Sequence, residues 1–177
     1  MLRGALIYSL GDTAGMLIRG EFVLTRALAL ALIGGTLYAR EVPAWFRWID
    51  RRFPRESAAD GRGAGRAGDA SGDASGAASG AGVLARWRRA LAALLYFNPL
   101  WIARHLLFLK LGAGLWSEIT PALLLVGARS FAVNLPLTAL GNYVIQNRLP
   151  ARQRFAASAI FSSLMAVSYA LCEVLLR

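Results

Sequence analysis

The sequence predicts an all-α, polytopic integral membrane protein of about five transmembrane helices with a disordered Gly/Ala/Ser loop. Three observations carry this. Hydrophobic residues make up 56% of the 177 and charged ones 17%, with a mean hydropathy of +0.47. Soluble domains sit near ~45–50% apolar and ~25% charged. Five apolar segments approach the ~17–25 residues that cross a hydrocarbon core. The basic residues, finally, fall between those segments and mostly on one side of them.

The first segment, Leu2 to Ile18, is short and carries Asp12, which interrupts it as a secretory signal core. The second, Phe22 to Ala39, contains Arg26. The third, Ala90 to Leu109, is broken at Asn98-Pro99 and holds Arg104 and His105. The fourth, Ile119 to Ile145, holds Arg129, Asn134 and Pro136, and the fifth, Phe155 to Leu176, has only Glu173 near its end. Between the second and third lies "GRGAGRAGDASGDASGAASGAG", which has no large apolar residue to offset its ordering entropy. It is expected to be a disordered linker, its ends ~25 Å apart as a flexible coil. The chain thus divides into a first helix pair with an interfacial collar (1–56), a cytoplasmic linker (57–83) and a three-helix half (84–177), all one membrane domain.

Nineteen of the twenty basic residues are Arg, and the net charge is +10. With five crossings, fourteen of them collect on the side of the N-terminus and linker, against three on the other. That positive-inside asymmetry places the N-terminus and linker in the cytoplasm and the C-terminus opposite. It points to a bacterial inner membrane or an organellar one, and accounts for the charge without nucleic acid. The expected partners are a bilayer with anionic lipids and a small solute, with self-association left open.

One Cys (Cys172), one His (His105) and ten scattered acids offer no disulfide, multi-His metal site or Ser-His-Asp triad. No catalytic residue, metal or cofactor is expected, and the chain is not expected to be an enzyme. The informative residues are charges within spans, each costing ~2.5–3.5 kcal/mol at a helix centre unless it meets a partner or a watery cavity. Asp12, Arg26, Arg104, His105, Arg129, Asn134 and Asn142 are the candidates for a polar pathway. Two readings stand: a route lined by cationic and amide groups, or an Asp12–Arg26 structural pair with the other arginines snorkelling. In "WFRWIDRRF", Trp45, Phe46 and Trp48 fit an aromatic belt, and Arg51 and Arg52 fit anchors in an anionic surface.

Particular motifs then resemble a family. "LGD" at Leu10 to Asp12, Arg26, Gly34, "WFRWID" at Trp45 to Asp50, Pro136, "NY" at Asn142-Tyr143 and "LPARQR" ending at Arg154 are similar to the pattern of the Mpv-seventeen family. Those are small channel-like proteins of mitochondrial and peroxisomal membranes, with bacterial relatives. Met16, Ala39-Arg40, Leu135 and Ala139 depart from that pattern. The resemblance implies a small-solute channel or an unassigned membrane role. A competing resemblance, to the bacterial L-alanine exporters, rests on "DTAGM", "EFVLTRAL", "NPLWIA" and "GAGLWSEI"; it implies export of a small amino acid and leaves the fifth helix unexplained.

Overall fold

The computed structural model describes residues 1–55 and 73–175, with side chains for 1–55 and 82–167. Every regular element in them is helical: α1 (Leu2–Ile18), α2 (Leu24–Ile33), a π-helical turn (Gly34–Tyr38), α3 (Ala39–Arg52), α4 (Asp73–Tyr96), α5 (Pro99–Gly112), a 3₁₀ turn (Trp116–Glu118), α6 (Ala122–Arg148) and α7 (Ala151–Leu175). The all-α class is therefore as the composition implies. Among the described residues two stretches are long and apolar enough to cross a membrane, Gly82–Gly112 and Ala122–Arg148.

Local chemistry sets the boundaries. Gly20, with φ +75°, turns the chain from α1 into α2 without the Cβ penalty that other residues would meet. At the α4–α5 break the Asn98 side chain accepts the Trp101 N–H at 3.0 Å, and Pro99 fills the first turn, where its missing N–H costs nothing. Pro136, by contrast, sits inside α6 without ending it.

Two boundaries depart from expectation. The second segment does not stop at Ala39: it continues through the π turn into α3, so the helical path is unbroken from Leu24 to Arg52. "WFRWIDRR" is thus a helix whose Val42, Phe46 and Ile49 share one buried face, spaced by four and three residues. The linker expected at 57–83 lies largely outside the described residues, but α4 starts within it at Asp73. Its Ala-rich run allows a helix packed at Gly82 to Tyr96 to extend backwards.

Helix α1 packs against α7 on one side and α2 on the other; α6 packs along both α4 and α5. A Cβ on Gly34 would lie 2.7 Å from Gly4 O, and one on Gly127 2.6 Å from Pro99 O. Those two glycines let α1 meet the π turn, and α6 meet α5, backbone to backbone. The core centres on the Leu24-to-Arg52 path, with Leu30, Tyr38, Val42, Phe46 and Ile49 against Tyr8, Ala93, Phe97 and Ile145. The outer face of α6 is apolar and uncovered; Val133 is 79% exposed and Leu140 57%. Water would penalise such a face at roughly 25 cal/mol per Å², whereas hydrocarbon would not.

Candidate functional site, a cavity between the helices

Five helices surround a cavity of about 300 Å³. Each contributes a row of residues spaced by three or four, the repeat that keeps side chains on one helix face. From α1 come Tyr8, Asp12 and Gly15; from α2, Arg26 and Leu30; from α5, Trp101, His105 and Leu109. Helix α6 supplies Ser130, Asn134, Thr138 and Asn142, every fourth residue, and α7 supplies Ser158 and Ser162. Phe97, Phe131, Ile145 and Phe161 complete apolar walls.

The charges at the cavity wall are paired. Arg26 Nε donates to Asp12 Oδ2 at 2.9 Å and Arg26 Nη2 to Oδ1 at 2.5 Å, a two-pronged contact that matches guanidinium to carboxylate. The side chains are only 16% and 9% exposed. The pair leaves a dipole facing the cavity instead of a lone charge. His105 stacks on Trp101, with centroids 5.5 Å apart and planes 4° from parallel, and its Nδ1 lies 3.0 Å from the Tyr38 hydroxyl. That bond needs Tyr38 turned inwards, and Tyr38 ends the π turn, whose wider winding resets the facing of the residues after it.

Several polar atoms along the wall are not paired. The Tyr8 hydroxyl, Trp101 Nε1 and Asn142 Oδ1 are buried and have no hydrogen-bond partner among the described residues. Asn142 Nδ2 is engaged by the Thr138 carbonyl at 2.9 Å, and Asn134 Nδ2 by that of Ser130 at 2.8 Å. These atoms are an indole donor, a carbonyl acceptor and a hydroxyl able to act as either, each buried within a residue that lines the cavity.

Of the candidates read from the sequence, Asp12, Arg26, His105, Asn134 and Asn142 meet around this cavity. Arg104 does not. It turns to the other face of α5 and grips Glu41 through Nη1–Oε1 at 3.1 Å and Nη2–Oε2 at 2.7 Å, while the Tyr96 hydroxyl donates to Glu41 Oε2 at 2.7 Å. Its guanidinium also lies over the Tyr38 ring at 5.7 Å. Arg129 is exposed on the outer side of α6.

Among the expected surface anchors, Phe46 is in the core and Trp45 donates to the Ala92 carbonyl at 3.0 Å. Trp48 stacks on Trp45 at the edge, and Arg51 and Arg52 are exposed. Glu41, the serines of α7 and Ser130 and Thr138 were not among the sequence candidates. The α6 residues had a legible signal: Ser130, Asn134, Thr138, Asn142 and Gln146 stand four apart, a ridge inclined about 26° to the helix axis.

At the end of the bundle where α3 and α6 finish, Asp50 accepts Arg89 Nη2 at 2.5 Å and Arg154 Nη1 at 2.7 Å. Burial alone would raise the Asp50 carboxyl, but the two guanidinium hydrogen bonds outweigh it and hold the group below the ordinary carboxylate range. Among the described residues no three His, Cys, Asp or Glu side chains converge as metal ligands would. No family model, curated protein or solved structure matches this chain.

Proposed function

We propose that this chain is a multi-pass membrane protein that passes small polar solutes through the cavity between its helices. The spans are α1, the Leu24-to-Arg52 helix across its apolar part, the α4–α5 stretch, α6 and α7. The basic loops keep the N-terminus and the linker on the cytoplasmic side and the C-terminus opposite. It performs no chemistry on its solute.

The observation that carries this reading is the row of hydroxyl and amide side chains among the residues lining the cavity: Ser130, Asn134, Thr138 and Asn142 on α6, with Ser158 and Ser162 on α7. A passing solute or its water exchanges hydrogen bonds with such groups, and the apolar walls keep the site from holding it strongly. Because Asp12 neutralises Arg26, and Arg19 at the end of α1 has the Glu21 carboxylate 3.8 Å away, the cavity favours neutral or zwitterionic solutes over free anions. This narrows the anion-compatible route that the arginines of the sequence suggest.

A second reading, coupled export of a small amino acid, is favoured by the same Asp12–Arg26 dipole, which offers a carboxylate to an ammonium and a guanidinium to a carboxylate. A third, a non-transporting scaffold, is favoured by how completely that pair satisfies itself. Solute flux into proteoliposomes separates them. Non-saturating uptake of urea and glycine supports a facilitated pathway; saturable, proton-driven alanine movement supports the exporter. Fluxes equal to those of protein-free vesicles leave the scaffold.

A further inference from the structure

The basic end of the bundle holds a second pocket. Arg55 follows α3, Arg86 and Arg89 lie on α4 three residues apart, Arg148 ends α6 and Arg154 opens α7. The inner guanidiniums have defined work. Arg55 Nη2 donates to the carbonyls of Gln146 at 2.7 Å and Leu149 at 2.6 Å, and Arg89 donates to the Phe53 carbonyl as well as to Asp50. They therefore cover the carbonyl ends of α3 and α6, each of which carries about half a negative charge.

The outer ones do not. Arg86 and Arg148 form no ion pair among the described residues. Between these groups opens a pocket of about 200 Å³, lined among the described residues by Arg55, Arg86, Arg89, Arg148 and Asn147 and by no acidic side chain. Arg89 is 2% exposed, and its Nε has no hydrogen-bond partner among the described residues. Burial, and then the neighbouring charges of Arg154 and Arg89, push the Arg55 guanidinium below its ordinary value. The arginines at this end crowd one another.

We propose that the pocket lined by Arg55, Arg86, Arg89 and Arg148 binds a phosphate group, as the headgroup of an anionic phospholipid or as free phosphate. Guanidinium forks meet phosphate oxygens two at a time, which a patch of lysines does not reproduce. The pocket opens among the loops that the charge asymmetry assigns to the cytoplasmic leaflet, where anionic headgroups concentrate. The site is separate from the cavity between the helices and stands whether or not that cavity conducts.

The test uses the full-length protein in phosphatidylcholine nanodiscs doped with phosphatidylglycerol, with retained lipid counted by native mass spectrometry. Wild type retains one phosphatidylglycerol. Arg86→Gln with Arg148→Gln binds it roughly thirtyfold more weakly, at an unchanged melting temperature, because neither side chain holds another element. Arg51→Gln with Arg52→Gln, the same loss of charge on the same side, retains it. Inorganic phosphate titrated calorimetrically into undoped phosphatidylcholine nanodiscs then identifies the source. A saturable heat lost in the Arg86/Arg148 variant assigns free phosphate; its absence, with lipid retained, assigns the headgroup. Equal loss of lipid in both double variants, or no binding of either probe to wild type, overturns the proposal.

Discussion

Removing the Asp12 carboxylate tests whether the ion pair holds the bundle or merely lies in it. In Asp12→Ala, Arg26 keeps its charge at a position where the side chain is only 16% exposed, and loses both of its hydrogen bonds. Breaking one side of a buried pair costs about 3–5 kcal/mol. Arg26 is the third residue of α2, near enough to the helix start to reach part-way towards the headgroups, so the lower end, ~3 kcal/mol, applies. For a chain of this size ~1 kcal/mol moves the melting temperature by about 2–4 °C, so the variant melts roughly 6–12 °C below wild type. Replacing both partners, Asp12→Leu with Arg26→Met, removes both desolvation penalties and returns stability to within ~1 kcal/mol of wild type. Tryptophan fluorescence during thermal unfolding in nanodiscs reads all three proteins. If Asp12→Ala melts within a degree or two of wild type, Arg26 escapes to the headgroups and the pair is incidental. If the double variant is as unstable as the single one, the loss is one of packing and the electrostatic account fails.

Other outcomes follow from the same geometry. Asn142→Leu removes a buried acceptor that has no partner, so thermal stability holds or rises while solute flux falls about tenfold; unchanged flux would detach Asn142 from any pathway. Arg129→Ala, on the outer face of α6, removes a charge from a lipid-facing position, so stability holds or rises and flux is unchanged, whereas Arg104→Ala lowers stability by breaking the Glu41 contact. Gly127→Val forces α6 away from the Pro99 carbonyl and costs about 1–3 kcal/mol, measurable as a lower melting temperature. The depressed Asp50 carboxyl stabilises the fold above its unfolded value of about 3.9. That contribution is lost as pH falls through the lower folded value. The gap in melting temperature between wild type and Asp50→Asn therefore starts to narrow below about pH 4 and vanishes only below the depressed folded value, and a gap that does not narrow on acidification would refute the assignment.

The sequence carried the all-α class because long apolar runs declare helices by their length and polarity. Helix α1 has the bounds that its apolar run suggests, and Asn98-Pro99 marks a real break because proline at a first turn needs a cap before it. The π turn between α2 and α3 was hidden, because nothing local announces it. Glu41 was missed because a carboxylate beyond an apolar run does not show which neighbouring helix it faces. Arg104 then looked unpaired, although its partner lies 63 positions earlier in the chain. Arg129 failed as a lining residue for a simpler reason. A charge within an apolar run says nothing about which face it occupies, and the four-residue ladder from Ser130 to Gln146 fixes the inner face of α6 elsewhere. The ladder needed only spacing to be seen.

Purified protein in liposomes, challenged with an outward gradient of urea, glycine or chloride, tests the central claim most directly. The account predicts that urea or glycine equilibrates faster than in protein-free vesicles, that chloride does not, and that Asn142→Leu removes the difference without unfolding the protein. Permeation of all three at the protein-free rate, in vesicles shown to contain folded protein, would contradict it.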